Sequence, residues 1–123
     1  MKCQKCNEEN IEWKSGVTYV GLDEHHNPPQ FMFKREGEVI NGDYGNKWVG
    51  EIYTLCRGCH TGINGIHRKI IIPHLMKASG ALRFNGNEQW LWKGVIPINR
   101  KKVREEIFTL SKKWVEDGNT KTT

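Results

Sequence analysis

"LCRGCHTGIN", residues 55–64, decides how this chain is read. Cys56 and Cys59 stand three positions apart, so one tight turn can present both thiols, and His60 follows directly. The same spacing recurs at Cys3 and Cys6 in "CQKC". Zinc prefers four soft ligands in a tetrahedron, and two Cys-x-x-Cys turns supply them. Cys3, Cys6, Cys56 and Cys59 are therefore expected to hold a structural Zn2+ ion. Unrelated free thiols would have no reason to repeat the spacing. Cys6 and Cys56 lie 50 positions apart, so the ion would pin the N-terminus against a nearly complete subdomain rather than organise one small finger. With those four places filled, His60 is left for a second ion.

The rest of the composition fits that picture. Of 123 residues, 37% are hydrophobic and 27% charged, a lean globular mixture to which a metal staple adds stability. No Gly/Ser- or Pro-rich linker divides the chain, and one domain is expected. No apolar run approaches the roughly 20 residues of a membrane span, and "MKCQKCNEEN" has no signal-peptide core. The expected setting is cytoplasmic, with no membrane partner. In that reducing compartment, paired cysteines are metal ligands before they are disulfides. The net charge of +5 suits a polyanionic partner but is too common to identify one. Basic residues gather in "HRK" at 67–69 and "RKKVR" at 100–104.

Along the chain, "VTYVGLDEHH" (17–26) has the β-branched and aromatic content of a strand, stopped by Pro28 and Pro29. "QFMF" reads as a short strand or turn that opens a long Gly/Asn-rich loop. "WVGEIYTL" is a second strand running into the second cysteine pair. Residues 63–76 fit a helix interrupted or ended by Pro73, although "KIII" fits a strand equally well. "WLW" at 90–92 alternates like a strand with both rings on one face. Val103, Ile107, Leu110 and Trp114 form one stripe of an amphipathic helix, with Asn99 and Gly118 as its caps. Trp48 in the long loop is as suited to base stacking as to packing, and His74 reads as a surface or packing residue.

"LDEHHNPP", residues 22–29, adds the second half of a site. On a strand, His25 and His26 point to opposite faces, so one can bind metal as neutral imidazole while the other serves as a general base. Asp23 and Glu24 read either as partners that orient a histidine or as ordinary strand-end charges.

In their order and rough spacing, "CQKC", "LDEHHNPP" and "YTLCRGCH" resemble the zinc-stapled HNH endonucleases, the ββα-metal nucleases of phage, homing and restriction enzymes. The resemblance covers about residues 3–75. It implies an α+β fold with a ββα-metal core over residues 1–76, stapled by the four-cysteine zinc site. Residues 77–117 would add a strand and the amphipathic helix, and 118–123 a flexible tail. It also implies metal-dependent hydrolysis of phosphodiester bonds in DNA.

By position, His26 matches the general base, and His25 and His60 match ligands of a catalytic Mg2+ or Mn2+ ion. Many members carry a further histidine four residues after His60. Here Asn64 stands there, with His67 as the alternative ligand if the helix begins later. The family's middle asparagine, which braces the loop, falls at Glu51, grouped with His26 in the catalytic site; Asn46 would take that role after a shift of register. Arg57, Arg68 and Lys69 are candidates for holding phosphates. Arg100, Lys101 and Lys102 read as a solvated helix face or as further DNA contacts. A double-strand cut would need two active sites and hence a homodimer. The competing readings are a catalytically silent zinc-stapled module that binds nucleic acid, and a protein-interaction domain in which zinc is purely architectural.

Overall fold

The structure, a computed structural model, describes residues 2–6, 22–33 and 48–121, the last four by backbone alone. Residues 17–21 of the expected first strand, most of the long loop and Asn46 lie outside the described residues. Two antiparallel strands, β1 (Leu22–Asn27) and β2 (Glu51–Cys56), pair with Leu22 opposite Cys56, His25 opposite Tyr53 and Asn27 opposite Glu51. Period-two alternation sends His25 and Asn27 inward while His26 is half-buried on the other face. The Asn27 carboxamide donates to Tyr53 Oη (3.1 Å) and to the Phe108 carbonyl (3.0 Å), tying the sheet to the last helix.

Where β1 ends, the chain passes close beneath the start of β2. A Cβ on Gly50 would collide with the Asn27 carbonyl oxygen and Pro28 Cδ, so only glycine fits against that backbone. Gly50→Ala is expected to cost about 1–3 kcal/mol, the usual range for overpacking a fixed backbone. Urea unfolding of the two proteins would measure it.

A single-turn helix, α1 (Arg57–His60), leads directly out of β2. The chain then turns through residues 61–65 and enters a π-helical turn, His67–Ile71, continuous with α2 (Ile72–Ser79). Pro73 lies in the first turn of α2 instead of ending the helix, where its missing N–H is tolerated, and the wider turn before it absorbs the misfit. The strand alternative for "KIII" is therefore wrong. Gly80, at φ 76°, closes α2 in the left-handed region that favours glycine.

"WLW" is also corrected. It belongs to α3 (Glu88–Lys93), whose N-terminus is capped by Asn87 Oδ1 accepting from Trp90 N at 3.1 Å. Residues two apart on a helix face different ways, so Trp92 is buried and Trp90 is 54% exposed.

The last helix, α4 (Arg100–Lys121), follows a 3-10 turn at Pro97–Asn99 and continues past Gly118. Its buried positions are Val103, Arg104, Ile107, Ser111 and Val115, while Leu110 is exposed. Positions four apart advance about 40° around a helix, so this stripe winds across α4 and has moved on by the level of Leu110. The winding matches two cores. Val103 and Ile107 join Met32, Ile71, Leu75, Leu91 and Trp92 in one, and Val115 joins Cys3, Tyr53, Leu55, Cys56 and Ile66 in the other. Among the described residues no helix is long and apolar enough to cross a membrane.

Candidate metal centres

The four cysteines meet at the second core. Gln4 N donates to the Thr54 carbonyl (2.8 Å) and Gln4 Oε1 accepts from Thr54 N (2.6 Å), which lays the Cys3/Cys6 turn along β2. Lys5 holds the same turn to α4, its Nζ donating to the Trp114 carbonyl at 2.6 Å and lying over the indole ring. The sulfurs of Cys3, Cys6, Cys56 and Cys59 all lie within 4.8 Å of one another, with Cys6 and Cys56 at 3.7 Å. Thiolates bound tetrahedrally to zinc stand roughly 3.8 Å apart, so the cluster fits such an ion.

The surroundings support at least one thiolate. Burial pushes the Cys3 thiol up, but the backbone amides of Cys6, Cys56 and Lys5 win and bring it down to about 7. Cys59 is pushed strongly upward by burial and by the neighbouring sulfurs. Four thiolates this close are mutually repulsive until a cation joins them, and a bound metal deprotonates them outright.

Beyond α1 the chain builds a second cluster. His25 comes from β1, His60 from the end of α1 and His67 from the π-helical turn, with one ring nitrogen from each within 4.8 Å of the others. The sharp turn between His60 and His67 depends on small residues. A Cβ on Gly65 would meet the Gly58 and His60 carbonyl oxygens at 2.8 Å. His60 Nε2 and His67 Nε2 stand 3.2 Å apart, close to the roughly 3.3 Å expected for two nitrogens on one tetrahedral ion. Behind them, His60 Nδ1 pairs with Asp23 Oδ2 (3.1 Å) and His67 Nδ1 with Glu88 Oε1 (2.8 Å).

His25 is 2% exposed, and its Nε2 is buried with no hydrogen-bond partner. Burial, then the neighbouring His67, His60 and His26, drive its pKa down to about 3. His60 is also lowered, burial outweighing the help it receives from Asp23. Neutral imidazoles, one of them with an orphaned nitrogen, suit a metal ion.

Of the ligands expected from sequence, His25 and His60 are therefore brought together, and the third place is held by His67. Asn64 lies exposed in the turn between α1 and the π-helical turn. His60 and position 64 share no continuous helix, so the i, i+4 spacing that would have aimed Asn64 inward is lost. His26 sits edge-on to Trp48 at 4.9 Å between ring centroids, and Trp48 Nε1 donates to the Pro28 carbonyl (2.7 Å).

Glu51 heads β2, where its carboxylate accepts from Tyr53 Oη (3.3 Å) and pairs with Lys112 (3.4 Å). The Lys112 pair links β2 to α4. Asp23 pairs with the histidine that ends α1, and Glu24 is exposed.

The expected phosphate-binding residues divide into two groups. Arg57, Arg68 and Lys69 are exposed near the histidines, and Arg68 lines a cleft of about 350 Å³ together with His67, Glu88, Phe31 and Phe84. Lys101 and Lys102 are exposed on α4, whereas Arg100 is half-buried, donating to the Val95 and Lys93 carbonyls over the Trp92 ring. His74 pairs with Glu106 at 3.3 Å, away from either cluster. Glu88 escaped sequence reading, since nothing local links it to a histidine 21 positions earlier. Comparison with protein-family models, curated proteins and solved structures finds no match to this chain.

Proposed function

We propose that this chain is a metal-dependent endonuclease of the HNH type, hydrolysing phosphodiester bonds in DNA. The observation that carries the reading is the convergence of His25, His60 and His67 while His26, next in the chain, is held apart on the opposite face of the strand. Ligand and base need different surroundings, and one strand supplies both.

His26 would take the proton of a water molecule on an imidazole nitrogen as the water oxygen attacks phosphorus. The bond to the leaving oxygen then breaks, and solvent supplies the proton that oxygen requires. A divalent ion held by the three histidines supplies Lewis-acid stabilisation of the phosphate and of the leaving oxygen. Arg57, Arg68 and Lys69 would hold the flanking phosphates. Imidazole donors suit borderline first-row ions better than Mg2+, which prefers oxygen ligands; of the two ions expected from sequence, Mn2+ is the better match. The four cysteines would hold structural zinc beside this centre, so that the turn fixing Cys59 also fixes His60.

Conversion of supercoiled plasmid to nicked or linear DNA tests the reading. His26→Ala is expected to lower the cleavage rate by about 10²–10⁴, the range for a positioned base, while metal binding stays as in the wild type. Cleavage that needs no metal, or that survives His26→Ala unchanged, would overturn it. DNA binding without cleavage by the metal-loaded protein would favour the catalytically silent nucleic-acid-binding module instead.

A further inference from the structure

Two of the three clustered histidines are gripped from behind. His67 Nδ1 lies 2.8 Å and 3.0 Å from the two oxygens of Glu88, and His60 Nδ1 lies 3.1 Å from Asp23 Oδ2. An ionised carboxylate only accepts, so each Nδ1 carries a proton, and in a neutral ring the lone pair is left on Nε2. Those two Nε2 atoms face each other at 3.2 Å. Lone pairs so opposed repel unless a proton or a metal ion lies between them. Two carboxylates thus stand at the rim of the cluster, a placement that favours a dication between the rings.

Glu88 arrives from outside the segment that holds the histidines. It is the first residue of α3, a helix capped by Asn87 and anchored in the core by Leu91 and Trp92. Its half-buried carboxylate is therefore presented by a fixed element, not by a mobile side chain on the surface.

We propose that Glu88, together with Asp23, is a positioning residue for a divalent transition-metal ion held by His25, His60 and His67, so that α3 completes the metal centre. The proposal rests on reading the three histidines as a metal site and does not depend on nuclease activity. The carboxylate selects the Nδ1–H tautomer of His67, orients the ring and raises the basicity of Nε2. α3 is thus part of the site and not an accessory to the strand and helix that carry the ligands.

Calorimetric titration of Co2+ into the full chain, with zinc already on the cysteines, is the test, followed by the visible spectrum of the bound ion. Glu88→Ala is expected to weaken Co2+ binding roughly 10- to 100-fold and to shift the spectrum. Glu88→Gln keeps an acceptor oxygen without the charge, and its affinity should fall between the two. Nitrogen-15 shifts of His67 in the metal-free protein should show the Nδ1–H tautomer in the wild type and a mixture in Glu88→Ala.

Co2+ affinity within about twofold of wild type in Glu88→Ala, with an unchanged spectrum, would overturn the positioning role. So would a wild-type His67 already in mixed tautomers. If the zinc-loaded wild type takes up no Co2+, the metal reading of the histidines falls, and the proposal with it.

Discussion

Replacing His67 with alanine is expected to empty the histidine centre, whereas Asn64→Ala leaves it intact. Deleting a direct ligand should reduce metal affinity by more than about 100-fold, beyond the effect of losing an outer partner. Cleavage should fall with it. His67 brings a ring nitrogen into the cluster with His25 and His60, and Asn64 is exposed in a turn. Metal content after dialysis of the two variants, measured beside plasmid cleavage, separates the two ligand assignments. Retention of metal by His67→Ala and its loss from Asn64→Ala would reverse them. In either variant the zinc bound by cysteine should remain at one ion per chain.

The second large effect is expected at the cysteines. Cys56 is buried in the core built from Cys3, Tyr53, Leu55, Ile66 and Val115, and it ends the strand from which α1 and His60 follow. A structural zinc ion contributes on the order of 10 kcal/mol in small zinc domains, as much as the whole net stability of a typical domain. Cys56→Ala should therefore unfold the protein under conditions in which the wild type is native, and cleavage should vanish with the fold. His60→Ala should leave bound zinc and the melting transition nearly unchanged while abolishing cleavage. Circular dichroism with metal analysis checks both. Zinc loss on His60→Ala would mean that the two ligand sets are mixed.

The site was more legible in the sequence than the framework around it. Paired Cys-x-x-Cys turns announce a tetrahedral cluster because the spacing itself is the geometry. Likewise, the opposite faces of His25 and His26 follow from the pleat of a strand. Both signals are local. The third histidine was not local, because its place depends on where the chain breaks between α1 and the π-helical turn. Glu88 was less legible still, since the docking of α3 alone brings it behind His67.

"WLW" misled because three residues of alternation carry too little period to tell strand from helix, and the Asn87 cap that decides the matter lies upstream. The stripe on α4 was drawn as a straight band, but the helix spans two cores and its buried face winds from one to the other. That places Ser111 inside and Leu110 outside.

The deciding measurement is cleavage by a protein whose histidine centre has been emptied with a mild chelator while the cysteines keep their zinc, followed by titration with Mn2+. Cleavage should disappear on chelation and return in proportion to Mn2+ bound, saturating at one added ion per chain. Cleavage indifferent to chelation, or none after the histidine centre is refilled, would contradict phosphodiester hydrolysis at the histidine centre.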